Sequence, residues 1–150
     1  MKQESSNLQV GVKTLIFNKE GNILIIKRNP SLYKEVNNLW DIPGGRINSG
    51  SSLEENLKRE IFEEVGIVSA KILGLISAQD IIKPNKHVVR LTYVSCATGS
   101  IDLILSEEHT EYQWVSIEDI QNIVGLDHYV RDIITDKNKL SFIKYLINKG

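Results

Sequence analysis

Cysteine is almost missing from this chain: Cys96 stands alone among 150 residues, which excludes an internal disulfide and a cysteine-built zinc site and is compatible with a reducing, cytoplasmic setting. Long apolar runs are missing as well. None approaches the roughly 20 residues of a membrane span, and the polar stretch Met1–Gln9 has no apolar centre of the kind a secretory signal needs. Nor is there an excess of either charge: 18 Lys and Arg against 19 Asp and Glu leave −1, with no general pull toward a nucleic-acid polymer or an anionic membrane. Prolines number only 3, and no repeat, linker or biased segment interrupts the chain. What remains, 41% hydrophobic and 25% charged, is the composition of one ordinary domain over residues 1–150, expected to have a flexible start at 1–9 and a small molecule for a partner.

Two β-rich runs, Val10–Phe17 and Ile23–Lys27, flank a Gly-containing cluster and read as an opening hairpin. Residues 29–38 read as a loop, followed by a short extended piece at Leu39–Ile42 that ends in Pro43-Gly44-Gly45. Ser52 and Glu55 have capping-box spacing and Gly66 is a stop, so the main helix is predicted over Leu53–Val65. Ser69–Ile82 and His87–Thr98 form a second predicted hairpin about the turn at 83–86. Glu111–Val115 is a further predicted strand, and Ile117–Val124 and Leu140–Ile147 are predicted helices. Helices and strands interspersed without a regular βαβ rhythm predict a mixed sheet flanked by helices.

Chemistry concentrates on the main helix. Glu60, Glu63 and Glu64 lie at i, i+3 and i+4 and project from one side. With Glu60 at zero and about 100° per residue, Glu64 falls near 40°, between Leu53 at roughly 20° and Leu57 at roughly 60°, so the acidic and apolar arcs overlap. Acids crowded beside buried apolar surface repel one another and are costly to bury unpaired. A solvated acidic face balanced by Lys58 and Arg59 is the plainer alternative, but the overlap favours a bound cation. Oxygen ligands without His or Cys suit Mg²⁺ or Mn²⁺ rather than zinc, and Mg²⁺ typically shares its shell with substrate phosphates.

The stretch Gly45–Ile67, GRINSGSSLEENLKREIFEEVGI, resembles the Nudix box, G-x5-E-x7-R-E-U-x-E-E-x-G-U with U a bulky apolar residue. Gly45, Arg59, Glu60, Ile61, Glu63, Glu64, Gly66 and Ile67 match, while Ser51 stands where the pattern has its first Glu. The opening hairpin, the Trp40–Gly45 approach and Tyr112–Val115 extend the likeness over Val10–Val124. The resemblance implies a MutT-like Nudix hydrolase: an α/β/α sandwich with a mixed sheet that hydrolyses a nucleoside diphosphate linked to another group, using Mg²⁺ or Mn²⁺. It further implies that Arg59 orients the acids and that Glu60, Glu63 and Glu64 bind metal or position water, with Glu60 the first choice as general base. The Gly44 carbonyl and Glu111 are the implied additions to the metal set. Ser51 cannot supply a charge or pair ionically with Arg59, which predicts weakened or altered metal use with activity kept.

Arg28 and Arg46 flank the acidic helix in sequence, where the resemblance places phosphate-holding residues, and arginine suits bidentate phosphate contact. Trp114 and Trp40 are candidates to stack on a base, core packing being the plainer role. His87 and His109 read as strand-end surface residues and Cys96 as a small strand hydrophobe. His128 reads as a polar residue on a surface helix, though some nucleotide-sugar-cleaving relatives keep a catalytic His in that region. Markers of substrate branches are mostly negative: the ADP-ribose branch has a Pro sixteen residues past the box, whereas Pro84 lies seventeen past Ile67 in an evident turn. By elimination a nucleoside triphosphate pyrophosphatase, damaged nucleotides included, is favoured. A nucleotide-sugar or ADP-ribose hydrolase and a non-catalytic nucleotide sensor are the alternatives, and a second copy of the chain is a candidate partner beside the nucleotide.

Overall fold

The computed structural model describes residues 7–99 and 101–150. Strands β1 (Asn7–Phe17), β2 (Ile23–Arg28), β3 (Trp40–Asp41), β4 (Gly44–Arg46), β5 (Ala70–Lys83), β6 (Lys86–Ala97) and β7 (His109–Val115) join in one mixed sheet. Its order is β3-β2-β1-β6-β5, with β4 also on β1 and β7 also on β2. β1 and β6 run parallel from Asn7 opposite Lys86 to Phe17 opposite Cys96, and the other strand pairs are antiparallel. Helix α1 (Leu53–Val65) covers one face; a 3₁₀ turn (Ile120–Asn122), α2 (His128–Ile134) and α3 (Lys137–Lys149) cover the other.

Alternation along the central strands explains this sandwich. Val12 and Ile16 of β1, with Leu24 and Ile26 of β2, meet Leu57, Ile61 and Val65 of α1. Their neighbours Leu15, Phe17, Ile23 and Ile25 point the opposite way and pack with Ile120, Val130, Ile133, Ile143 and Leu146. Strands covered on both faces read as continuous apolar runs, as these do. Leu57, Ile61 and Val65 are each 0% exposed. At about 1.5–3 kcal/mol per buried aliphatic side chain, they outweigh the capping box, worth about 1 kcal/mol. The apolar stripe therefore sets where the helix carboxylates sit.

The main helix begins and ends where its signals place it: Ser52 and Glu55 complete the capping box, and Gly66 terminates it in the left-handed region at φ 76°. The long hairpin of β5 and β6 also forms as expected. Three expectations change. The opening hairpin forms but is short: β1 and β2 pair antiparallel at Phe17 opposite Ile23 and then diverge. The helix expected at Ile117–Val124 shrinks to the 3₁₀ turn, with Ser116 Oγ accepting from the Asp119 N–H. Of the expected flexible start, residues 7–9 are strand, paired to β6; residues 1–6 lie outside the described residues.

Candidate active site

The divergence of β1 and β2 makes the site. Into the gap comes the segment after β3: the Thr14 N–H donates to the Pro43 carbonyl at 3.0 Å, and Gly44, Gly45 and Arg46 pair with Lys13, Val12 and Gly11. Gly44 has φ +143°, and a Cβ there would lie 2.0 Å from the Val12 carbonyl oxygen. A Cβ on Gly45 would lie 2.5 Å from Glu60 Oε2. Only glycines let the α1 carboxylates lie directly on this strand.

A cleft of about 530 Å³ opens above it, with Glu60, Glu64, Glu108 and His109 among its acidic and imidazole lining. Glu64 is buried, and its Oε1 accepts from the Gly44 N–H at 2.8 Å. Burial is the largest influence on this carboxyl and raises it to about 7, with Glu60 and Asp41 adding to the rise while Lys13 and the Gly44 bond oppose it. His109 Nε2 lies 3.4 Å from Glu64 Oε2. Burial, then Lys13 and Arg28, push this imidazole down to about 4. Both groups are thus driven toward their neutral forms, and their contact is not an ion pair at neutral pH. Donor atoms of Glu64, Glu108 and His109 lie within 4.8 Å of one another.

The cleft also gathers cations. Lys13 and Arg28 reach Asp41 Oδ2 at 3.1 and 2.8 Å, and Arg90 reaches Oδ1 at 3.1 Å. Burial alone would raise the Asp41 carboxyl, but Lys13, Arg90 and Arg28, with the Ile42 N–H, hold it well below the usual carboxylate range. Asp41 fastens three chain segments through their cations. Arg46, Lys83 and Lys86 also line the cleft and have no ion-pair partner among the described residues.

Of the sequence candidates, Gly44, Glu60, Glu64, Arg28 and Arg46 converge on this cleft. Arg59 stands beside it, bonding Glu60 Oε1 at 3.0 Å, with Glu63 on its outer side at 3.7 Å and largely solvent-exposed. Glu111 goes elsewhere: it pairs with Lys27 at 3.1 Å and shares a strand face with Gln113 and Val115, away from Tyr112 and Trp114, which oppose Ile26 and Leu24 on the α1 face. Trp114 opposes Leu24 and packs in the α1 core, lining a separate hollow with Asn18 and Glu20, so it cannot stack on a base in this cleft. Trp40 packs in the other core layer. His128 is exposed against Tyr129 at the start of α2, outside the cleft lining. His87 pairs with Asp80 at 2.7 Å. His109 is the one histidine misjudged, buried rather than at the surface.

Glu108, Asp41, Lys13, Arg90 and Asn56 were absent from the sequence candidates. Glu108 had a signal, since it lies in the same acidic run as Glu111, and the irregular β2–β7 register at Lys27 and Arg28 decides which of the two reaches the cleft. The rest are gathered from distant strands or sit within a helix face, where spacing carries no sign of them.

A sheet split by a Gly-Gly segment beneath a Glu-bearing helix defines a Nudix-type hydrolase. The chain matches the family model described as NUDIX domain over residues 7–135, and it belongs to the Nudix family. It is 45% identical over 109 residues to a putative 8-oxo-dGTP diphosphatase of Bacillus subtilis, covering 71% of this chain and 65% of that one. It is 28% identical over 127 residues to an ADP-ribose pyrophosphatase of Methanocaldococcus jannaschii, covering 82% and 72%. Among solved structures, the MutT protein from Methanosarcina mazei Go1 superposes with a TM-score of 0.72 at 28% identity, covering 98% of each chain.

Proposed function

We propose that this protein is a divalent-metal-dependent pyrophosphohydrolase of nucleoside triphosphates, cleaving them with water to a nucleoside monophosphate and pyrophosphate. The observation that carries this reading is a cleft of both signs, in which Glu60, Glu64 and Glu108 share the lining with Arg28, Arg46, Lys83 and Lys86. A triphosphate offers these cations a longer run of charge than a nucleotide sugar, whose sugar offers hydroxyls. The relatives' named substrates, 8-oxo-dGTP and ADP-ribose, are both phosphoric anhydrides of nucleosides. His128 is exposed and outside the cleft lining, so it lends no support to a nucleotide-sugar substrate.

The donor set fits a hard cation. Glu64, Glu60 and Glu108 with the Gly44 carbonyl would hold Mg²⁺ or Mn²⁺, and the glycine cradle keeps bulk out of that space. When bound, such an ion neutralises phosphate charge and acidifies water. In this reading Glu60, anchored through Oε1 by Arg59 and with Oε2 against Gly45, takes the proton of the attacking water. Arg28, steadied by Asp41, and Arg46 orient the phosphates. In this reading Glu111 stays with Lys27 outside the cleft lining, and Glu63 stands at its rim beside Arg59. The test is a ³¹P NMR screen of nucleoside triphosphates, ADP-ribose and nucleotide sugars with Mg²⁺ and Mn²⁺. Pyrophosphate release from a triphosphate, lost in Glu60→Gln, is expected; faster cleavage of a sugar-linked substrate, or tight binding without any product, would overturn the reading.

A further inference from the structure

Arg59 lacks the carboxylate that the box pattern places at position 51, yet its guanidinium is held on several sides. Nη1 donates to Asn56 Oδ1 at 2.7 Å, and Nη2 donates to Glu60 Oε1 at 3.0 Å and to the Arg46 carbonyl at 3.2 Å. Asn56, three residues before Arg59 on α1, is 0% exposed. A polar side chain so buried is costly unless satisfied. Its Oδ1 also accepts from the Asn48 N–H at 2.7 Å, and its Nδ2 donates to the carbonyls of Ser52 at 2.8 Å and Ser51 at 3.2 Å. Both lone pairs and both amide hydrogens are used. A carboxylate at 56 could not donate to the loop, and an apolar residue could not accept from Arg59.

We propose that Asn56 is a positioning residue: its neutral amide fixes Arg59, and through it Glu60, in place of the missing carboxylate at position 51. The Ser51 carbonyl meets the amide while the residue itself is exposed, so a glutamate at 51 reaches toward Arg59 from the loop without displacing residue 56. Positions 51 and 56 are therefore exchangeable in function. Because Arg59 is met by an amide rather than an acid, its charge is balanced among the described residues by Glu60 and Glu63.

The experiment compares Asn56→Asp, Asn56→Leu and the double variant Asn56→Leu with Ser51→Glu. Both single changes remove the donors to the loop, but only leucine removes the acceptor for Arg59. The side-chain Nε–H resonance of Arg59 in ¹⁵N NMR of the metal-free protein is expected to stay sharp in the wild type and Asn56→Asp, broaden in Asn56→Leu, and sharpen again in the double variant. In turnover, Asn56→Leu is expected to lose kcat about 10- to 100-fold, the scale of a small misplacement, with KM little changed, and Ser51→Glu to restore most of it. Equal effects of Asp and Leu, or no restoration, overturn the proposal. If Asn56→Leu does not fold, the double variant decides: folded with a sharp Arg59 signal supports it, and anything else overturns it. The kcat comparison rests on the hydrolase reading, whereas the NMR comparison does not. Expected NMR behaviour in a protein that hydrolyses nothing would refute that reading and leave this one standing.

Discussion

Replacing Glu64 with glutamine should stabilise the metal-free protein while abolishing its chemistry. A carboxyl raised from 4.5 to about 7 by burial beside Glu60 and Asp41 makes the ionised folded state less stable by about 3 kcal/mol. The advantage of the protonated form is fully present below pH 4.5 and is lost as pH rises through 7. Glutamine mimics the protonated acid and keeps an oxygen for the Gly44 N–H. In EDTA at pH 8, Glu64→Gln is therefore expected to melt roughly 6–12 °C above the wild type, at about 2–4 °C per kcal/mol for a domain of this size. At pH 5 the difference should shrink below about 1 kcal/mol, because the wild-type carboxyl is then mostly protonated in the fold. Saturating Mg²⁺ should raise the wild type alone. Differential scanning fluorimetry at both pH values, with and without Mg²⁺, checks each arm. A variant no more stable than the wild type at pH 8 would refute the burial of an uncompensated carboxylate.

Glu108→Gln should weaken Mn²⁺ binding, read by EPR titration, at least about tenfold, on the scale of one charge-assisted ligand. Glu111→Gln should change neither that affinity nor kcat, since its exposed pair with Lys27 is worth at most about 1 kcal/mol. Gly45→Ala forces a Cβ to 2.5 Å from Glu60 Oε2; loss of kcat with cooperative melting retained is expected, and full activity would contradict the cradle. His109 is held neutral by burial, Lys13 and Arg28, so its contribution to stability is present above pH 6.5 and lost as pH falls toward 4. His109→Gln should therefore lose up to about 3 kcal/mol less than the wild type over that interval in urea titrations. Changing Lys83 and Lys86 together to alanine should raise KM for a triphosphate and reduce its salt dependence, with kcat nearly constant.

Local signals survived best in passing from sequence to structure. The α1 boundaries, its capping box and the i, i+3, i+4 acids all depend on residues within one or two turns of each other, and all are found in place. Pairing between strands did not survive as well. β1 and β2 are apolar on both faces, so their composition says nothing about which neighbour each will take, and β1 takes β4 and β6. Glu111 and Glu108 differ by half a pleat and a bulge, which one-dimensional spacing cannot resolve. Ser51 predicts weakened or altered metal use; the bond from Arg59 to Asn56, buried within the helix, left no sign in the sequence.

The parallel register of β1 on β6 has a consequence for how the chain is made. Lys13 and Arg90 meet at Asp41 only after β6 has been synthesised, because the partner of Asn7 is Lys86 and that of Phe17 is Cys96. Until then the first strand has one registered pair with its sequence neighbour and an unfilled edge. A nascent chain stopped before β6 would carry the whole acidic helix with Lys13, Arg28 and Arg46, yet lack Lys86 and Arg90. Such contacts between distant segments also slow folding and prolong exposure of an unpaired strand.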